Sequence, residues 1–185
     1  MILRGPCLHG PFFVPVLRAS KTSLFYFCTM KYKRLTKEQL EELHPEFINF
    51  LATQSITAEE WATLKADKPE MAEEEIDVFS DLIWEGVLSK VEYLENISEQ
   101  HMHLFHLTEK EMKLLSVKVL NPEIDLRTKV GFDWFKRNFQ SDFVEYLTAS
   151  KAYGEDKNVD KFEIIKQGAV ITKGELYQWF EQIME

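Results

Sequence analysis

The sequence predicts a mainly α protein with a minor β element near residues 101–120, and three observations carry that reading. Thr36 and Thr57 stand three residues ahead of Gln39 and Glu60, the spacing of a capping box at a helix start. Between Pro69 and Ser98, Ile76, Phe79, Ile83, Val87, Val91 and Leu94 recur at steps of three and four, one apolar stripe of a long helix. "HMHLFHL", residues 101–107, is short, carries apolar residues on both faces and reads as a strand.

In order, Thr36 opens a helix that turns Leu40 and Leu43 to one side. Pro45 disfavours helix at His44 and suits the first turn of a second helix, which buries Phe47, Phe50 and Leu51. A third helix after Thr57 turns Trp61 and Leu64 inward, and Pro69 starts the longest element, 69–98. Leu82, Trp84 and Leu88 widen its apolar stripe, and Glu70, Glu73, Glu74 and Glu75 lie in its first turns, where carboxylates favour the helix dipole.

Residues 109–120 point two ways: Thr108 and Glu111 have capping-box spacing, whereas Leu115, Val117 and Val119 alternate as in a strand. "NPEIDLRTK" reads as a loop. "GFDWFKRNFQSDF" reads as a helix burying Phe132, Phe135 and Phe139. After a polar turn at Gly154 two more helices follow, with Gly168 closing the first and Thr172 to Glu175 capping the second.

Composition bounds the function. Fourteen Phe, six Tyr and four Trp in 185 residues supply a core and argue against disorder. Residues 1–29 contain Arg4, Arg18 and Lys21, no acid, three of the six prolines and both cysteines. The body beyond them therefore holds 19 basic and 31 acidic residues, a charge of −12. A secretory signal needs about 7–15 uninterrupted apolar residues and a membrane span about 20; "PFFVPVL" and "LFYFC" supply neither. The favoured reading makes residues 1–29 an atypical leader outside the fold, with the gene product starting at Met30 and 30–185 forming one helical domain. A body without cysteine fits a reducing cytosol.

The candidate sites are few. On a strand His101 and His103 share a face while His106 points away, so two imidazoles at most converge, and a zinc site needs a further ligand. Ordinary half-buried histidines are the simpler reading. A di-iron bundle needs two Glu-x-x-His motifs, and the single instance, Glu41 to His44, is broken by Pro45. Asp77, Asp81 and Glu85 read as a solvated acidic face. "DKNVDKFEIIKQ" opens like a calcium loop with Asp156, Asn158 and Asp160, but Lys161 and Gln167 stand where glycine and glutamate are required. Gly168, Lys173 and Gly174 lack P-loop spacing and fit helix capping. The basic cluster Lys31, Lys33, Arg34 and Lys37 sits in a body whose charge repels phosphate, so nucleic acid is not expected as a partner.

"MKYKRLTKEQLEEL", "EFINFLATQSITAEEW", "FSDLIWEGVLSKVEYLE", "NPEIDL" and "QGAVITKGELYQWF" carry a resemblance. Through them residues 30–185 resemble a family of small uncharacterised bacterial proteins, a domain of unknown function, and 1–29 lie outside it. The resemblance implies no activity, cofactor or site. The residues themselves favour a cytoplasmic, non-enzymatic interaction or adaptor domain that binds a protein with a basic surface, without cofactor or membrane. The alternative is a metal-binding protein or metal-dependent enzyme using His101 and His103.

Overall fold

The computed structural model describes residues 30–184. The expectations for the leader, 1–29, lie outside the described residues. Four helices come first: α1 (Lys37–Glu42), α2 (His44–Thr53), α3 (Ala58–Asp67) and α4 (Pro69–Leu88). Both expected capping boxes form: Thr36 and Thr57 accept from the N–H groups of Gln39 and Glu60, whose side chains reach back to the threonine N–H groups. Pro45 occupies the first turn of α2, where its missing N–H leaves no intrahelical bond unmade.

The strands are β1 (Tyr93–Ile97), β2 (His101–Leu107), β3 (Glu111–Val119), β4 (Val144–Ala152) and β5 (Val170–Thr172). Helix α5 (Lys129–Asn138) links β3 to β4, α6 (Lys157–Lys166) links β4 to β5, and α7 (Glu175–Met184) follows β5. They form one sheet in the order β4-β3-β2-β1-β5, antiparallel throughout. The expectation of a mainly α fold is therefore wrong. Of the described residues 49% are helical and 21% lie in a five-stranded sheet, a mixed α+β architecture.

The physical reasons are local. Val91 and Leu94 continue the three-four spacing of α4, yet the helix stops at Leu88 and Leu94 sits on β1. A stripe of helical spacing thus ran across a turn into a strand. The Thr108 hydroxyl does accept from the Glu111 N–H, at 3.1 Å, but also from Lys110, at 3.3 Å, and so closes the β2–β3 turn. A threonine side chain makes the same bond in a turn as at a helix start. β4 is exposed at every residue except Val144, so no alternation of apolar and polar residues marks it. Thr172 lies in β5, and its hydroxyl accepts from the Gly174 N–H rather than capping α7 from Glu175. Gly174 has φ +76°, and an added Cβ would fall 2.3 Å from the Tyr93 ring, so both its conformation and its contact require glycine.

Both faces of the sheet are used. On one, Met102, Leu104, Leu115, Val117 and Val119 pack with Phe135 of α5 and with Tyr177 and Phe180 of α7. On the other, Leu94, Phe105, Leu107 and Met112 meet Ile164 and Ile165 of α6. Beyond α6 lies α4, joined through Tyr32, Leu88 and Phe162, and then the cluster of Leu35, Phe50, Leu51 and Phe79. Of the expected stripe, Phe79 and Leu88 are fully buried and Trp84 is half-buried, its indole N–H donating to the Lys33 carbonyl. Leu82, by contrast, is 55% exposed and faces away from the core.

The contrast is measurable by chemical denaturation. Phe135→Ala should cost about 3–5 kcal/mol, the range for emptying a buried phenylalanine site. Leu82→Ala should stay within about 0.5 kcal/mol, as for a surface change.

Candidate interaction face

The registers that build the sheet also align side chains across it. Residues directly opposite one another share a face, and on the α6 side they form rows. Phe105, Leu114 and Ala149 make one row; His103, Ser116 and Leu147 the next; His101, Lys118 and Glu145 the third. Helix α6 sits over the first. A groove of about 450 Å³ runs between it and β3–β4, floored by Phe105, Leu114 and Ala149 and rimmed by Lys151, Asp160 and Glu163. Past the groove the sheet lies open. Leu147 is 60% exposed, Phe143 59% and Leu120 42%, and the Leu120 N–H donates to the Phe143 carbonyl, so these two belong to the same open end.

The sequence-designated histidines divide as strand geometry requires. His101 and His103 lie on the open face with ring centroids 6.0 Å apart and planes 25° from parallel. Burial, with His101 beside it, holds the His103 pKa below the usual histidine range, and its Nδ1 is buried without a protein hydrogen-bond partner. His106 points to the α7 side, stacked on Tyr93 at 4.7 Å and edge-on to Tyr177 at 5.2 Å. It packs as an aromatic ring. Lys118 stands directly opposite His101 and pairs with Glu145 at 3.4 Å, so the carboxylate in the same row is already engaged by an ammonium. Among the described residues no three His, Cys, Asp or Glu side chains converge in a metal-binding group.

The remaining candidates are structural. Asp156 caps α6, accepting from Asn158 and Val159, and pairs with Lys31 at 2.7 Å. Asn158 donates to Glu85, and Asp160 accepts from the Gly154 N–H, so these three oxygen-bearing side chains serve different partners. Glu41 and His44 flank the α1–α2 junction and are both exposed.

The reading of Asp77, Asp81 and Glu85 as a solvated face needs correction, because residues 31–35 lie along it. Asp81 accepts from the backbone N–H groups of Lys31 and Tyr32, at 2.7 and 2.9 Å. Glu85 accepts from Lys31 Nζ at 2.8 Å and from the Tyr32 hydroxyl at 2.5 Å. Arg34 pairs with Asp77 and Glu73. The basic cluster and the acidic face are thus each other's partners, and the lysine and tyrosine bonds hold the Glu85 pKa below the usual carboxylate range.

The fold and the face define an α+β protein with an open half-sheet of mixed apolar and polar residues beside a groove. The chain belongs to a family of unknown function (DUF6495), whose model matches residues 30–185. Comparison with the curated proteins and with the solved structures gives no match. No helix among the described residues is long and apolar enough to cross a membrane.

The lowered pKa of His103 sets a pH dependence. Below the unfolded value of about 6.5 the unfolded chain binds a proton that the folded site resists, so stability falls as pH falls. Denaturation midpoints of the native chain should drop between pH 7.5 and 5, with a shallower slope in His103→Gln. If the His101–His103 pair held zinc, metal at a hundredfold excess over Kd would add about 2.7 kcal/mol to the stability of the folded state and raise the midpoint. No saturable rise is expected in untagged protein.

Proposed function

We propose that the protein is a non-catalytic protein-binding module that engages its partner through the open half of the sheet. The observation that carries this is the exposure of Leu147 beside the apolar floor of the groove, with Phe143 and Leu120 exposed beyond the Lys118–Glu145 pair at the end of the same strands. Large apolar side chains gathered on one surface mark contact sites more often than scattered ones do. The aromatic and aliphatic residues supply desolvation, while Asp160 and Glu163 edge the groove and the Lys118–Glu145 pair crosses the face, a mixture of apolar and polar contacts usual in interfaces.

The partner's charge follows from the rest of the surface. Residues 30–185 carry 31 acids against 19 bases, and Lys31 and Arg34 are already paired to α4. Exposed Glu59, Glu70 and Glu74 add to the negative field around the helical layer. Such a field speeds encounter with a basic partner and repels acidic ones.

The test uses Phe143→Glu combined with Leu147→Glu, both surface changes that should leave the melting temperature within a few degrees. Proteins retained from host lysate by the native chain, and lost by the double variant, are purified. Their binding should protect the amides of residues 112–118 and 143–150 from hydrogen exchange and weaken as salt rises. Retention unaffected by the double variant, or protection elsewhere, would place binding on another surface and defeat this reading.

A further inference from the structure

The open face ends at β4, and β4 is an edge. It is the last strand of the sheet, nine residues long, without proline or glycine. An unguarded strand of this length is a template for another strand. In an antiparallel ladder, residues alternate between those bonded to the neighbour and those whose N–H and C=O point outward. The Leu120–Phe143 bond fixes the phase: Glu145, Leu147, Ala149 and Lys151 face β3. Tyr146, Thr148, Ser150 and Ala152 therefore direct their backbone groups away from the sheet, while the Val144 N–H is taken by the Ser141 carbonyl. Among the described residues no strand pairs with that side.

The sequence of this edge is complementary to itself. A two-fold axis through Thr148 sets Thr148 opposite its own copy, Tyr146 opposite Ser150, and Leu147 opposite Ala149. It also sets Glu145 opposite Lys151, twice. Thr148 is an outward-bonding residue, so its pairing with itself has the hydrogen-bonded geometry that such an axis permits. The two charges stand symmetrically at the ends of an uncharged core, Tyr146–Ser150. A shift of register by two residues in either direction breaks both charge pairs. We propose that a second copy of this chain pairs antiparallel along β4, about Thr148, to make a continuous ten-stranded sheet. The contact is isologous, as a closed dimer requires. Side chains directly opposite each other lie on one face, so both open half-sheets face the same side and join through Leu147 and Ala149. The proposal goes beyond the binding role above: it rests on backbone pairing and on the Glu145–Lys151 complementarity, and Leu147 is the residue the two share.

Sedimentation of the full chain from 1 to 200 µM tests it. The native chain should be a dimer in the micromolar range. Thr148→Pro removes an outward N–H that β3 does not use, so it should sediment as a monomer with an unchanged circular dichroism spectrum. Lys151→Glu opposes two carboxylates across the axis and should raise the dimer Kd at least tenfold. Adding Glu145→Lys restores the cross-axis pair, and Lys118→Glu keeps the pair within the chain, so the triple inversion should recover the dimer. If Thr148→Pro fails to fold, Lys151→Glu and its recovery decide. A monomer throughout the range, or a dimer that Lys151→Glu leaves unchanged, would overturn the proposal.

Discussion

The buried ammonium of Lys161 holds the two halves of the molecule together. Its Nζ donates to the carbonyls of Leu88, at 2.6 Å, and Val91, at 2.8 Å, and only 2% of the residue is exposed. Those carbonyls end α4 and begin the turn into β1, where no helical N–H remains to bind them. Burial pushes the Lys161 pKa down from the usual lysine range. Two acceptors surround the charge, and beside it the Leu88 carbonyl takes only a long bond, 3.4 Å, from the Val91 N–H. Helix α6 is thereby tied to the end of α4, and everything that α6 covers on the sheet follows from that placement.

The same junction explains the chain's unusual pairing of charges. Residues 31–35 cross the groove between α4 and α6, with Lys31 reaching Glu85 and Asp156 and with Tyr32 packed edge-on against Phe162 at 5.1 Å. Exposed ion pairs contribute little singly. Here they accompany two backbone bonds to Asp81, a bond from the Leu35 N–H to Ser80 Oγ, and the indole bond of Trp84. The segment is held mainly by these hydrogen bonds and by the burial of Tyr32 and Leu35. Basic residues spaced along 31–37 and acids at four-residue steps along α4 are both visible in the sequence. That they meet is not, because nothing local links Arg34 to Asp77 across 43 residues.

Legibility followed how much each element owes to its own residues. Helices capped by their own threonine and acid or amide, α1 and α3, could be read directly. So could β2, whose alternating Met102 and Leu104 are both fully buried. β1 was hidden because its apolar residues fell into step with the helix before it, and β4 because almost no residue in it is buried. β4 forms because β3 offers a ladder over its full nine residues, a partner-dependent stability that no window of sequence contains. His101 and His103 were placed on a common face correctly by strand periodicity, whereas Lys118 opposite them could be found only through the register.

Coverage of the sheet is finally a matter of lengths. A ten-residue helix spans about 15 Å, and a nine-residue strand about 30 Å. Fixed by Lys161 over Leu94, Phe105, Leu107 and Met112, α6 reaches one end of β3 and β4 and leaves the other uncovered. The opposite face has both α5 and α7, and there Val117, Val119 and Phe135 are almost wholly buried. The two faces differ because one receives two helices and the other a single short one. Leu147 and Phe143 are exposed for the same reason that Val117 is not, and a solvent-facing position alone would not require an apolar side chain at either.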